Sequence, residues 1–159
     1  MKKIVIIVCC GLFVAGGLYF LRRPVAREEV TLTPSGETGA TYKKKEVVLG
    51  NSTFTLEISD TPALQETGLS YRPTLAPNTG MLFMFAEPDV YQFWMKDMNF
   101  PIDIIWLDAN KKVVLIEHDV APSTYPDSFG PETLTQYVIE IPAGEAKRAG
   151  LKVGDTVGL

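Results

Sequence analysis

From Glu46 onward the sequence pattern is mainly of period two, and this commits the chain to strands rather than long helices. In Thr53–Ser59, Phe54, Leu56 and Ile58 point one way and Thr53, Thr55 and Glu57 the other, the pattern of a half-buried strand. Gly80–Phe85 (GMLFMF) is apolar on both faces, so a buried strand or barrel wall is expected there. Tyr91–Met95, Ile102–Asp108, Val113–Val120 and Tyr137–Ile141 are predicted as further strands. Asp108 to Lys111 forms a tight hairpin turn between two of them, with Asn110 suited to the left-handed conformation. Thr61–Pro62 offers an N-cap followed by a proline at the first helical position, and Gly68 stops the turn, so Pro62–Thr67 is a short helix. Glu145–Ala149, before Gly150, is predicted as a second, and Thr156–Leu159 is expected to close the sheet. The predicted fold is mainly β (β-rich α+β): a compact barrel-like or rolled antiparallel sheet with one or two short helices.

Ahead of this domain, Ile4–Leu21 is an unbroken run of uncharged, mainly apolar residues. As a helix it spans roughly 27 Å, close to the hydrocarbon thickness of a bilayer. The expected reading is an uncleaved signal-anchor, residues 1–23, with the domain outside the cytoplasm. A cleaved signal peptide and an inverted anchor are the competing readings, because Lys2 and Lys3 before the run are nearly matched by Arg22, Arg23 and Arg27 after it. Residues 24–45, rich in Thr, Pro, Ser, Gly and Glu, read as a flexible linker ending in Lys43–Lys44–Lys45, a triplet able to touch anionic lipid. The globular domain is assigned to residues 46–159.

Charge and composition narrow the chemistry. Outside the first 23 residues there are 11 bases against 19 acids, which argues against a nucleic-acid surface. Both cysteines, Cys9 and Cys10, lie in the leader, and His118 is the only histidine. The domain therefore offers no thiolate nucleophile, no thiolate zinc site and no multi-histidine metal centre. No Gly-x-Ser-x-Gly elbow, phosphate-binding loop or HExxH helix occurs. No metal or cofactor is expected, and an enzyme is the less favoured reading.

Six motifs resemble one known family. They are Gly68–Leu69–x–x–Arg72, Gly80–Met81–Leu82–Phe83–x–Phe85, Phe93–Trp94–Met95–Lys96, Pro101–Ile102–Asp103–Ile104, Tyr137 to Gly144 (YVIEIPAG), and Gly150–Leu151–x–x–Gly154–Asp155. In this order, from about Phe54 to Val157, the chain resembles the Domain of Unknown Function 192 family of bacteria and archaea. The resemblance implies a single β-rich domain, often behind an export signal or anchor, and it implies no reaction, cofactor or catalytic residue. Asp97–Met98 stands where the family usually has Asn–Thr, and Lys111 where the hairpin usually has Gly.

Asp103 is the most conspicuous polar residue, since neither face of its strand looks solvated and an unpaired buried carboxylate is very costly. Arg72 and Lys96 are its expected partners. Such a pair is either a structural clasp or part of a ligand cleft lined by Arg72, Trp94, Lys96 and Asp103, with Trp94 as a stacking surface for a sugar or other small polar ligand. Glu140 is a secondary candidate, and with Asp103 it would supply the two carboxylates of a glycan-directed hydrolase. His118 shares a face with Val114, Ile116 and Val120 and is expected in the core. The pairs Met81/Met84 and Met95/Met98 suggest Cu(I) binding through thioethers, although residues three apart on a strand face opposite ways, which favours core filling. The expected function is thus a membrane-anchored, extracytoplasmic binding or accessory domain. Its partner would be a small molecule, glycan or protein, with hydrolase, Cu(I) site and purely structural domain as alternatives.

Overall fold

The computed structural model describes residues 42–159. The leader and most of the linker lie outside the described residues, as does the proposed membrane span. Among the described residues no helix is long and apolar enough to cross a membrane. Eight strands form: β1 (Lys44–Leu49), β2 (Ser52–Ser59), β3 (Thr79–Asp89), β4 (Phe93–Trp94), β5 (Ile102–Leu107), β6 (Val113–Val120), β7 (Ser128–Phe129) and β8 (Thr135–Pro142). Two short helices accompany them, α1 (Pro62–Thr67) and α2 (Glu145–Arg148). The domain is mainly β, as expected.

Six strands form one sheet in the order β1-β2-β3-β8-β5-β6, and β4 with β7 form a separate ribbon. Two expectations about the sheet are corrected. It is mixed rather than antiparallel, because β2 and β3 run parallel. The connection 60–78, which carries α1, is longer than the roughly dozen residues that a parallel crossover requires. The sheet is also not a closed barrel, since β1 and β6 end it. Thr156 joins it only through a bridge to Lys112.

The hairpin β1–β2 turns at Gly50, and β1 begins within the lysine triplet, so Lys44 and Lys45 are sheet residues and Lys43 reaches Asp60. The predicted strand at Tyr91–Met95 shortens to β4, which pairs only with β7. In the β5–β6 hairpin the left-handed residue is Lys111 (φ 64°), not Asn110, at the position where the family usually has Gly.

The sheet buries both faces. On the first, Phe54, Leu56, Leu82, Ile105, Leu107, Ile139 and Ile141 pack with Ala146, Ala149, Leu151 and Val157 from α2 and the carboxyl-terminal segment. On the second, Met81, Phe83, Ile102, Ile104, Trp106 and Val138 pack with Leu69 and Met95 from the long connections. Because β5 contributes alternately to both, all six of its residues are buried. The second face is covered by loops and the β4–β7 ribbon, and there the cover is incomplete.

Candidate functional site

The gap in that cover is a cleft of about 620 Å3, within the roughly 300–1,000 Å3 usual for small-molecule sites. One wall is the end of α1 and the turn after it, Gln65–Tyr71. The opposite wall is aromatic: Phe83 and Phe85 from β3, then Tyr91, Phe93 and Trp94. Phe85 stacks on Tyr91 with ring centroids 3.5 Å apart, and Phe93 meets Phe83 edge-on at 4.9 Å. Trp106, sealed beneath, donates its indole N–H to the Tyr91 carbonyl at 3.0 Å, which ties this wall to the sheet. The wall is therefore preformed, with little side-chain freedom left to lose on binding.

The rim is strained. Tyr71 (φ 65°) and Asp97 (φ 58°) both occupy the left-handed region without being glycine. They hold one another: the Tyr71 N–H donates to the Asp97 carbonyl at 2.8 Å, and its hydroxyl donates to the Asp97 carboxylate at 2.7 Å. That carboxylate holds the Tyr71 phenol above its ordinary pKa. Ser70 Oγ donates to the Lys96 carbonyl and Asn99 Nδ2 to the Arg72 carbonyl, so four hydrogen bonds fasten the two loops across the cleft mouth. Paired backbone strain of this kind persists only where surroundings over-determine it, and such places cluster at binding sites.

At the floor stands Glu140, on β8, opposite Met81 on one side and Ile104 on the other. It is 6% exposed. Among the described residues no hydrogen bond reaches its carboxyl group, which borders the cleft. Burial pushes its pKa up to about 8, with the positive field of Arg72 acting weakly the other way. Arg72 is itself committed to Glu57, which lies in the same cross-strand row one strand beyond Met81: the guanidinium is 2.6 Å from that carboxylate and lies over the Tyr42 ring. Burial works against the Arg72 charge, but Glu57 more than offsets this and holds the guanidinium above its ordinary pKa.

The structure divides the residues singled out from the sequence. Trp94 and Lys96 line the cleft together, with Trp94 52% exposed, Lys96 Nζ 5.8 Å from its ring centre and Tyr125 beside it. Arg72 sits beneath the same face without lining the cleft. Asp103 is elsewhere: it points into the first face, fully sealed, and neither Arg72 nor Lys96 pairs with it. Its oxygens accept three backbone N–H groups, from Asp119 (2.9 Å), Gly144 (3.1 Å) and Ala146 (2.9 Å). The last two open α2, whose N-cap residue Gly144 has no side chain to do this.

Asp103 and Glu140 therefore lie on opposite faces of the sheet, because Glu140 is level with Ile104, the residue next to Asp103. They cannot flank one glycosidic bond. His118 is also not in the core. The β5–β6 register shifts between Ile102 and Ile104, leaving His118 and Asp119 opposite Asp103 alone; this bulge turns His118 outward, where its side chain is half exposed. Met81 is buried whereas Met84 is 36% exposed, so that pair is split between faces. Among the described residues, no three His, Cys, Asp or Glu side chains are grouped to hold a metal ion.

Comparison with known proteins places this geometry in a family. The model of an uncharacterized conserved region, Domain of Unknown Function 192, matches residues 45–159. The chain belongs to this family. Two solved structures resemble this DUF192 domain closely. One is a proposed transcription regulator from Sinorhizobium meliloti 1021, at 29% identity and a TM-score of 0.70, covering 75% of this chain and 95% of that one. The other is a protein of unknown function from Novosphingobium aromaticivorans DSM 12444, also at 29% identity and 0.70, covering 82% and 95%. A comparison with curated proteins finds no match.

In the sequence Glu140 is a secondary candidate, and of the aromatic wall only Trp94 stands out. A signal was present: Glu140 is the one charged residue in Tyr137–Ile141, and its strand neighbours are too apolar for a solvated face.

Proposed function

We propose that this DUF192 protein is a membrane-anchored, extracytoplasmic binding domain whose small-molecule ligand occupies the aromatic cleft above Glu140. One observation carries the reading: a preformed aromatic cleft ends on a buried carboxyl group with no hydrogen-bond partner among the described residues. Burying such a group without a partner costs free energy that a purely structural design avoids by using an apolar residue. A ligand supplies the missing partner. Aromatic faces give binding area with few torsions to freeze, which suits a site built to recognise rather than to react. The anchor rests on the Ile4–Leu21 run, and the outward orientation on the signal-peptide order of basic start, apolar run and polar domain.

A nucleic-acid role, as the description of the Sinorhizobium protein would suggest, finds no support in a polar part with 11 bases against 19 acids. The test is a fragment screen by ligand-observed NMR on the full chain in non-ionic detergent. Hits are expected to compete with one another and to weaken about tenfold on Trp94→Ala, a substitution at an exposed position that leaves the fold intact. A screen without hits, or hits indifferent to Trp94→Ala, overturns the reading.

A further inference from the structure

Resting on that reading, we infer that the cleft selects organic cations, seating an ammonium group against the Glu140 carboxylate and the attached apolar body against Phe85, Tyr91, Phe93 and Trp94. Three independent features converge on a positive ligand. The floor group is an acid with no protein cation pairing to it, since the nearby guanidinium of Arg72 is already matched by Glu57 at 2.6 Å. The walls are aromatic side chains, and the negative quadrupole of an aromatic ring attracts cations at close range, most strongly where water is excluded. The charged lining is acidic overall: Glu66, Asp97 and Glu140 against Lys96, whose ammonium already sits over the Trp94 ring.

An anion entering this cleft would meet the acids Glu66 and Asp97 of its lining. A neutral molecule would leave Glu140 with at most a hydrogen bond. A cation converts the carboxyl group into one half of a desolvated ion pair, and the conversion releases a proton to solvent. At neutral pH that release is a small expense, because Glu140 titrates near 8 and one pH unit corresponds to about 1.4 kcal/mol. The ion pair then lies in a low-dielectric site with its remaining surfaces covered by rings. Gly68 and Ser70 keep the opposite wall small, leaving room for the ligand body.

The experiment is calorimetry on the full chain in non-ionic detergent, with benzylamine, benzyl alcohol and benzoate as probes of equal size and different charge. Benzylamine is expected to bind at least tenfold more tightly than either of the others. At pH 7 its binding should release close to one proton, read from the heat difference between phosphate and Tris buffers. Its affinity should rise nearly tenfold from pH 6 to 7 and level off above pH 8. The other charged groups around this face are Arg72, Glu57, Asp97, Glu66 and Lys96, and the slope that Glu140→Gln removes is the part assigned to Glu140. Glu140→Gln should abolish the slope and the preference for the amine.

Benzyl alcohol or benzoate binding as tightly as the amine, or amine binding without proton release, overturns the cation inference while leaving the cleft as a ligand site. If none of the three probes binds and the fragment screen is also empty, both readings fall. Proton release and the pH series are read on the wild-type chain, so the inference stays testable even if Glu140→Gln disturbs folding.

Discussion

Glu140 and Asp103 are both buried carboxyl groups on neighbouring strands, and their surroundings give them opposite roles. Asp103 receives three backbone N–H groups, so its charge is fully used inside the protein. Asp103→Ala should leave those three donors unsatisfied and cost about 3 kcal/mol or more, seen as a lower midpoint in urea unfolding of the full chain. Glu140 receives none, and its effect on stability depends on pH. The unfolded chain carries this group near its ordinary value of 4.5, whereas the folded state holds the proton up to about 8. The stabilisation is complete below pH 4.5 and is lost as the pH rises to about 8, at a rate approaching 1.4 kcal/mol per pH unit. Unfolding free energies measured from pH 5 to 9 should show that decline in the wild type, and Glu140→Gln should remove its share of it and be the more stable form at pH 8.5.

Among the elements, β3 carries the strictest local requirement. Gly80 faces β8 so closely that a Cβ there would overlap the Glu140 carbonyl oxygen and press on Ile141 and Leu56. Glycine at this point lets β3 lie against β8 in the register that sets Met81 beside Glu140. Gly80→Ala should therefore cost about 1–3 kcal/mol and weaken cleft binding together with stability, measurable by thermal unfolding and by loss of fragment signals. The motif around Gly80 is visible in the sequence, but its reason is not, because the crowding atoms come from Leu56, Glu140 and Ile141 on other strands. The same holds for the bulge in β6. Val114, Ile116, His118 and Val120 keep a perfect alternation on paper, and only the pairing with β5 shows that one residue slips, turns His118 outward and brings the Asp119 N–H to Asp103.

At the level of the molecule, the proposed outward-facing anchor rests on sequence order alone: a basic-flanked apolar run, a polar stretch and an acidic domain. Protease added to intact cells with a permeable outer envelope should cleave within residues 24–43 and release the domain, while the same protease should spare it if the domain is cytoplasmic. The first strand, β1, begins at Lys44 and lies at the edge of the sheet. The cleft lies on the second face, walled by the α1 turn, β3 and the segment 91–98.

The sequence by itself determined the strand-rich character, both helices, the burial of β5 on both faces and the absence of thiol or multi-histidine chemistry in the domain, because each depends on local period, capping or composition. Partnership was decided only by the tertiary structure. Asp103 found backbone donors from two distant segments, with His118 Nδ1 3.8 Å away, instead of Arg72 or Lys96; Arg72 found Glu57, and Glu140 was left facing a cleft. These outcomes depend on which strands become neighbours and in what register, and a parallel crossover through α1 is a long-range choice that no local alternation encodes.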